Sequence, residues 1–308
     1  MNSIYQVAGV SKQAVHKWNN RFESDRYLLE ELAVQVDEVR AVHPGCGLEK
    51  MYDTVKPSWL GRDKFISTFM DLGYRVKKRP NYRRTTIPCS QRYPNLIQGL
   101  LVHDKNRVWQ TDITYFPIGE RHYYITFIID IYTKVIRSYQ VSDHMRAEAN
   151  IAALKRAIKS VGNVKGLIHH SDRGSQYINN EYRQILNDCG MHLSMGLIAQ
   201  DNAYAERING IIKNEYLNMK HIDSFEKLKR ELAIAVNHYN KHRIHRHLPG
   251  KQSPMSFEKG LVHLNTQSRP KVIVYTEGNC KIRAASSRPD FNPETEPQVH
   301  VCPMVTKE

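Results

Sequence analysis

Three carboxylates are the side chains in this sequence whose type and placement could carry chemistry. Asp112 interrupts a run of β-branched and aromatic residues, Asp172 follows a second apolar run, and Glu206 lies in a stretch with helical periodicity. Any one of them could be a turn cap or a partner in a surface ion pair. Three acids at one sheet edge, however, would repel one another unless a cation neutralised them. Oxygen ligands favour Mg²⁺ or Mn²⁺ over zinc, so we expect a site for one of these ions.

The stretch around Glu206 has a polar and an apolar face when it is drawn as a helix of about 100° per residue. Apart from Gly210, the residues within roughly 60° of Glu206 on that helix are Asn202, Asn209 and Lys213. Alanine and isoleucine side chains on the opposite face predict a buried side. Glu206 and Lys213 can therefore face the same ligand, whereas Glu215 is a weaker candidate because it falls on the apolar side.

The acids must be held in place by a folded domain, and the sequence pattern of residues 104–260 predicts such a domain. Strands rich in β-branched and aromatic residues are expected at 108–116, 123–131, 135–141, 166–170 and 191–194. Helical periodicity follows at 147–161, 180–188 and 202–217. This order of elements predicts an α/β fold with a mixed five-stranded sheet flanked by helices.

An all-helical region is expected before this core, beginning with a helix-turn-helix at residues 1–22. Gly9 supplies the turn, and Ser11 can cap the second helix. In such a unit the second helix lies in the major groove of DNA. Its DNA contacts would come from Lys12, Gln13, His16 and Lys17. A second helical DNA-binding block is expected at 26–74.

The charge of the chain indicates its partner. Its 308 residues include 45 lysines and arginines against 31 acids, a net charge of +14, and nearly all of the surplus lies in the first 260 residues. A polyanion is therefore expected. The densest basic patch falls in the segment 75–103, which we interpret as an extended arm along phosphates rather than a solvated linker. The arm would contact DNA through Lys77, Lys78, Arg79, Arg83 and Arg84.

Composition also excludes several classes of protein. The most apolar run, 123–132, contains a threonine and an aspartate, so no membrane span is expected. The N-terminus lacks the pattern of a secretion signal. Five scattered cysteines without a CxxC pair argue against a disulfide framework or a four-cysteine zinc site, and a cytoplasmic location is expected. The tail at 261–308, with one strand-like run at 271–275, does not indicate a role.

Histidines and a fourth acid offer further candidate sites. The spacing of His238 and His242 would suit a metal, but basic neighbours favour a DNA-facing segment. The contacts of that segment would come from Arg243 and His245.

A histidine pair, His169 and His170, is expected to shape a strand end, with one of the two near a metal or a phosphate. Asp130, a fourth acid in a strand, fits a turn-adjacent role and an active-site role equally well. Neither assignment follows from the sequence pattern alone.

Four ordered strings resemble the catalytic subunit of bacterial transposases of the insertion-sequence-three family, which have a retroviral-integrase-like core with a ribonuclease-H-like fold. They are VWQTDITY at 108–115, HSDRGSQY at 170–177, and DNAYAE at 201–206 followed by Lys213. The fourth is a dispersed pattern after the acids, formed by Tyr239, Asn240, Arg243, His245, Leu248, Ser253, Pro254 and Phe257. The resemblance covers roughly residues 1–258. It departs in one place, because the 33 residues between Asp172 and Glu206 are two fewer than usual, which predicts a shortened loop at 196–200.

The resemblance implies a metal-dependent DNA transposase. Asp112, Asp172 and Glu206 would form the acidic triad around two Mg²⁺ or Mn²⁺ ions, and Lys213 would contact the transposon end. It implies strand cleavage at the terminal inverted repeats of an insertion sequence, followed by strand transfer into target DNA. It also implies a homo-oligomer in a synaptic complex and an upstream reading frame whose product is fused by frameshift.

Two other functions share some of these features. A non-catalytic DNA-binding regulator that occupies the element ends would have the same basic field, but it would have no need for three carboxylates that repel DNA. A ribonuclease acting on RNA–DNA hybrids would share the fold but would not account for the N-terminal helix-turn-helix. The acids therefore favour the transposase.

Overall fold

The computed structural model describes residues 9–76, 93–196 and 199–274 of the chain. Several predictions lie outside these ranges: the first helix of the helix-turn-helix, part of the shortened loop, and the chain after residue 274. The same is true of the arm residues Lys77, Lys78, Arg79, Arg83 and Arg84. Across the ranges that are described, no helix is both long and apolar enough to span a membrane.

Three helices lie between residues 12 and 71, and the first of these three is longer than the sequence predicts. Helix α1 (Lys12–Val42) runs for 31 residues, and α2 (Leu48–Val55) and α3 (Arg62–Asp71) follow it. Ser11 caps α1 as predicted, accepting a hydrogen bond from the backbone N–H of Ala14 at 3.1 Å. The expected boundary between residues 22 and 26 is wrong, because no glycine or proline interrupts residues 12–42.

Residues 28–74, called the helical block below, have a small core of their own. The second half of α1 packs on α2 and α3, and the buried side chains at this contact are Leu32, Val36, Met51, Phe65 and Phe69. The first turns of α1 are instead exposed, including Lys12, Gln13, His16 and Lys17. Their contact with DNA stays a prediction.

A mixed five-stranded sheet forms the centre of the chain, as predicted. The strands are β1 (Leu101–Val102), outside this sheet, then β2 (Val108–Ile118), β3 (Arg121–Asp130), β4 (Ile136–Ser142), β5 (Ile168–Ser171) and β6 (His192–Met195). The order across the sheet is β4-β3-β2-β5-β6. Strand β2 is central, because it pairs antiparallel with β3 on one side and parallel with β5 on the other.

Helices cover both faces of this sheet, which gives the ribonuclease-H-like arrangement. On one face, Trp109 and Ile113 of β2 pack with side chains of α4 (Ala147–Val161) and α5 (Asn180–Asp188). On the other face lie α6 (Ala203–Ile211) and α7 (Phe225–Lys241). Because side chains alternate along a strand, the even-numbered residues of β2 face α6. Residues 110, 112 and 114 are therefore placed toward α6.

The chain after α7 returns to the core. Helix α8 (Pro254–Gly260) packs Phe257 beside Tyr132, and the ring centroids of these residues are 5.6 Å apart. Strand β7 (Val272–Ile273) then pairs antiparallel with β1. The strand-like run expected near residue 271 thus joins the two ends of the core, although the sequence did not indicate this partner.

Asp130 has a structural place at the end of β3. Its carboxylate is fully buried and accepts hydrogen bonds from the backbone N–H groups of Tyr132 at 2.9 Å, Thr133 at 3.1 Å and Asn106 at 2.5 Å. Arg137 donates to it at 3.1 Å. These partners favour the turn role over the active-site role.

Replacing Asp130 with alanine should therefore unfold the protein more easily. Removal of the carboxylate leaves Arg137 without one buried partner, a change that costs about 3 kcal/mol in comparable sites. Urea denaturation measures the loss, and the exposed Asp143→Ala is the control, with an expected change within about 0.5 kcal/mol. Equal midpoints for the two variants would contradict the structural role.

Candidate active site

The three predicted acids are brought to one region by the pairing of β2 with β5. In this parallel pair Gln110 lies opposite His170. Asp112 and Asp172 are each two residues further on, so they occupy equivalent positions at the same end of neighbouring strands. Glu206 lies in the first turn of α6. This helix covers the face of the sheet toward which the even-numbered residues of β2 point.

The acids influence one another electrostatically. The pKa of Asp112 is raised well above its usual range by burial and by the charges of Asp172 and Glu206. Burial and the charge of Asp172 also raise the pKa of Glu206. Within the described part of the chain, no three acidic, histidine or cysteine side chains already stand in a geometry that could hold a metal ion. The carboxylates are thus close enough to repel one another without forming a closed ligand set.

Two asparagines predicted to contact DNA instead join α6 to β2. The side-chain amide of Asn209 donates to Asp112 Oδ2 at 2.7 Å, and that of Asn202 donates to the Thr111 carbonyl at 3.0 Å. Both residues are buried. Their amide groups are used inside the protein, and contact of either residue with DNA stays a prediction.

Gln110 is a site residue that sequence reasoning missed. Its fully buried side chain donates to the Asp201 carbonyl at 2.8 Å and accepts from the backbone N–H groups of Tyr204 and Ala205 at 3.1 and 3.2 Å. It therefore satisfies donors in the first turn of α6, which have no partner within the helix. The sequence feature that could have pointed to Gln110 is an amide side chain inside an apolar strand, two residues before Asp112.

Asp172 is held by the turn that follows β5. Its Oδ1 accepts from the backbone N–H of Gly174 at 3.0 Å. A Cβ atom at residue 174 would lie 2.7 Å from Gln176 Oε1 and 3.1 Å from Asp172 Oδ1. Glycine at this position therefore leaves space for the carboxylate of Asp172.

Lys213 lies against β2 rather than beside Glu206. Helix α6 is followed by a π-helical turn, Ile212–Tyr216, of which Lys213 is the second residue. Lys213 is buried, donates to Thr114 Oγ1 at 3.2 Å and lies 4.6 Å from the ring centroid of Tyr115. Burial lowers its pKa. Contact with a DNA end, which stays a prediction, would require Lys213 to leave Thr114.

Arg243 and His245, which were predicted to lie in a DNA-facing segment, are also buried, and their contact with DNA stays a prediction. Arg243 donates two hydrogen bonds to Glu215, each 2.8 Å long. The backbone N–H of His245 donates to the Gln252 carbonyl at 3.0 Å. Burial lowers the pKa of His245 to about 3, so it is a neutral interior side chain.

The two histidines of β5 shape the strand as expected. His169 Nε2 lies 2.6 Å from the Tyr182 hydroxyl, and His170 Nδ1 lies 2.8 Å from Ser194 Oγ. Burial lowers their pKa values to about 3 and about 4. Both are therefore neutral and buried next to the acids, without adding positive charge there.

Comparison with known proteins identifies the family. Residues 102–199 and 187–254 match two models of the integrase core domain, and these ranges include all three acids. A 31 kDa protein of insertion element IS600 from Shigella sonnei is 32% identical over 273 residues, which are 82% of this chain and 97% of that protein. The transposase for insertion sequence element IS904 from Lactococcus lactis is 31% identical over 191 residues, 61% of this chain and 74% of that protein. The chain belongs to the insertion-sequence-three family of DNA transposases.

A solved structure is also similar to the transposase. The catalytic core domain of HTLV-2 integrase in complex with magnesium is 19% identical, covers 53% of this chain and 99% of its own, and has a TM-score of 0.41. The family assignment depends on the insertion-sequence relatives.

Gln110→Leu should destabilise the transposase, because it leaves two N–H groups and one carbonyl without their partner. An unsatisfied buried group costs about 1–3 kcal/mol, so we expect a loss of about 2 kcal/mol in urea denaturation. Gln184→Leu is the matched control, since Gln184 is exposed and donates only to the side chain of Asp188. If both variants unfold at the wild-type urea concentration, Gln110 does not hold α6 on β2.

Proposed function

We propose that the transposase cuts and joins DNA strands at a site formed by Asp112, Asp172 and Glu206, with Mg²⁺ or Mn²⁺ as cofactor. The observation that carries this proposal is the equivalent placement of Asp112 and Asp172 on paired strands, with Glu206 adjacent. Carboxylates crowded in this way reduce the stability of a protein without a cation. Their arrangement is therefore difficult to explain as a structural feature.

The residues present fit a hard divalent cation. All three side chains offer carboxylate oxygen, the ligand type that Mg²⁺ and Mn²⁺ prefer. The charges of Asp172 and Glu206 both raise the pKa of Asp112, so a cation at this place would relieve their repulsion. A pair of such ions would supply activation of a water or 3′-hydroxyl for in-line attack on a phosphodiester and stabilisation of the leaving oxygen.

The chain itself orients the acids before DNA binds. The Asn209 amide fixes one oxygen of Asp112, and the N–H of Gly174 fixes one oxygen of Asp172. Glu206 is exposed on α6 and can reach DNA or an ion without disturbing the core.

We further propose the terminal inverted repeats of an insertion sequence and target DNA as substrates. Exposed basic and amide side chains at the start of α1 would supply phosphate contacts, together with the basic arm residues that the sequence places at 77–84. Two element ends must be held together for transfer, which supports a homo-oligomer in a synaptic complex. Fusion with an upstream-frame product would add a further DNA-binding segment.

The first test is cleavage of a duplex that contains an element end, with Mn²⁺ or Mg²⁺ present. Asp112→Asn keeps the size of the side chain and an oxygen for Asn209, but it removes the charge. We expect unchanged DNA binding and a cleavage rate lower by about 100-fold or more. Asp188→Asn, a change at an exposed aspartate, is the control and should cut like wild type. Cleavage by Asp112→Asn at the wild-type rate would refute the proposal.

The second test is thermal unfolding with and without the ion. When folding raises the pKa of a carboxyl, that group lowers the stability of the protein at every pH at which it is ionised in the unfolded chain. Asp112→Asn should therefore be more stable than wild type at neutral pH without metal. The gain is measured as a Tm higher than that of wild type. Mg²⁺ should then raise the Tm of wild type more than that of Asp112→Asn. Equal shifts in both proteins would mean that the ion does not bind at these acids.

A further inference from the structure

Glu215 is a buried carboxylate outside the acidic site, on the π-helical turn after α6. It accepts hydrogen bonds from Arg243 Nε and Nη2 at 2.8 Å each and from Lys50 Nζ at 2.6 Å, and it lies 2.7 Å from His43 Nε2. Burial would raise the pKa of Glu215, but the hydrogen bonds from Arg243 and His43 lower it below the usual range. Glu215 is therefore ionised, and both of its oxygens are occupied.

The partners of Glu215 come from two distant parts of the chain. Arg243 follows α7 in the catalytic core, only 28 residues away. His43 and Lys50 belong to the helical block, 172 and 165 residues earlier in the sequence. The His43 ring also stacks on Tyr216, with centroids 4.5 Å apart and planes within 2°. Glu215 thus joins the helical block to the core.

The backbone is equally close at this contact. The N–H of Gly45 donates to the carbonyl of Glu215 at 2.7 Å. A Cβ atom at residue 45 would lie 2.4 Å from the Cα of Glu215, closer than non-bonded carbon atoms approach. Glycine is therefore required here by the approach of the π-helical turn.

Charged pairs at the rim of the same contact are more exposed. Arg246 pairs with Glu49 and Asp53, and Lys251 pairs with Asp53. The side chains of Glu49 and Lys251 are each 56% exposed, compared with 17% for Glu215. Exposed pairs contribute little, so the Arg246–Glu49 pair adds little to the docking, whereas Asp53, which is 12% exposed, is a second partly buried carboxylate in the contact.

Glu215 is also close in sequence to the active site. Lys213, two residues before it, bonds to Thr114 of β2, and Asn209, three residues before the π-helical turn begins at Ile212, bonds to Asp112. Residues two apart on a helix point to nearly opposite sides. The helical run from α6 through the turn is therefore held by β2 on one side and by the helical block on the other.

We propose that Glu215 is a positioning residue through which docking of the helical block keeps α6 in the place that the acidic site requires. The helical block then controls the cutting step in addition to any part it takes in DNA binding. This inference rests on the proposed function, since it assumes that Asp112 and Glu206 cut DNA.

Two variants weaken the docking and leave the Glu215–Arg243 pair within the core. Lys50→Gln removes a cation of the helical block, and Gly45→Ala introduces the steric conflict. For each we expect end-duplex binding within about threefold of wild type, and a cleavage rate at saturating DNA lower by about tenfold, because small displacements of reacting groups slow catalysis strongly. Amide exchange across 212–219 should also become faster. Lys50→Arg should restore most of the rate, and Glu49→Gln, at the exposed rim, should stay within about twofold of wild type.

Unchanged cleavage and unchanged exchange in both variants would overturn the inference. So would a fall in binding and cleavage in proportion to the folded fraction, since that is the result of general destabilisation. If wild type and Asp112→Asn both fail to cut, the proposed function fails instead. The rate of amide exchange across 212–219 in the two variants then still shows whether Lys50 and Gly45 hold the π-helical turn in place.

Discussion

The parallel pairing of β2 with β5 is the constraint on which the site depends. It gives Asp112 and Asp172 equivalent positions on neighbouring strands, so two negative charges are close whenever the sheet forms. A shift of one residue in this pairing would turn the side chains of β5 to the opposite face and separate the acids. The apolar side chains that flank Asp112 on β2 pack with α4 and α5, and this packing fixes the register. The hydrophobic core thereby holds a repulsive arrangement in place.

Neutral amides rather than cations secure α6 on the strand that carries Asp112. Gln110, Asn202 and Asn209 each form a hydrogen bond between β2 and α6. An amide can bind a carboxylate or a carbonyl without cancelling the negative charge of the site. Lysine or arginine at these positions would neutralise the acids and weaken their attraction for a metal ion. The charge of the acids is therefore preserved by the choice of neighbouring side chains.

Local patterns in the sequence predicted the strands and the helices of the core, because each of these elements has a clear periodicity and buries one face. The same patterns did not indicate that Asn202, Asn209 and Arg243, which are polar, are buried in the structure. Their partners are 28 to 97 residues away. Pairings over such distances leave no local signal, so a buried polar residue resembles a surface residue until the fold is known.

The π-helical turn carries two charged side chains with partners on different sides. Lys213 lies on the side of the helix on which Asn209 meets β2, and it donates to Thr114 of that strand. Glu215 then points away from the sheet and meets the helical block, so each of the two charged side chains has a partner on its own side. Such turns are less favourable than a regular helix and persist where neighbouring structure requires them. Here the requirement comes from both sides, because the sheet binds the lysine and the helical block binds the glutamate.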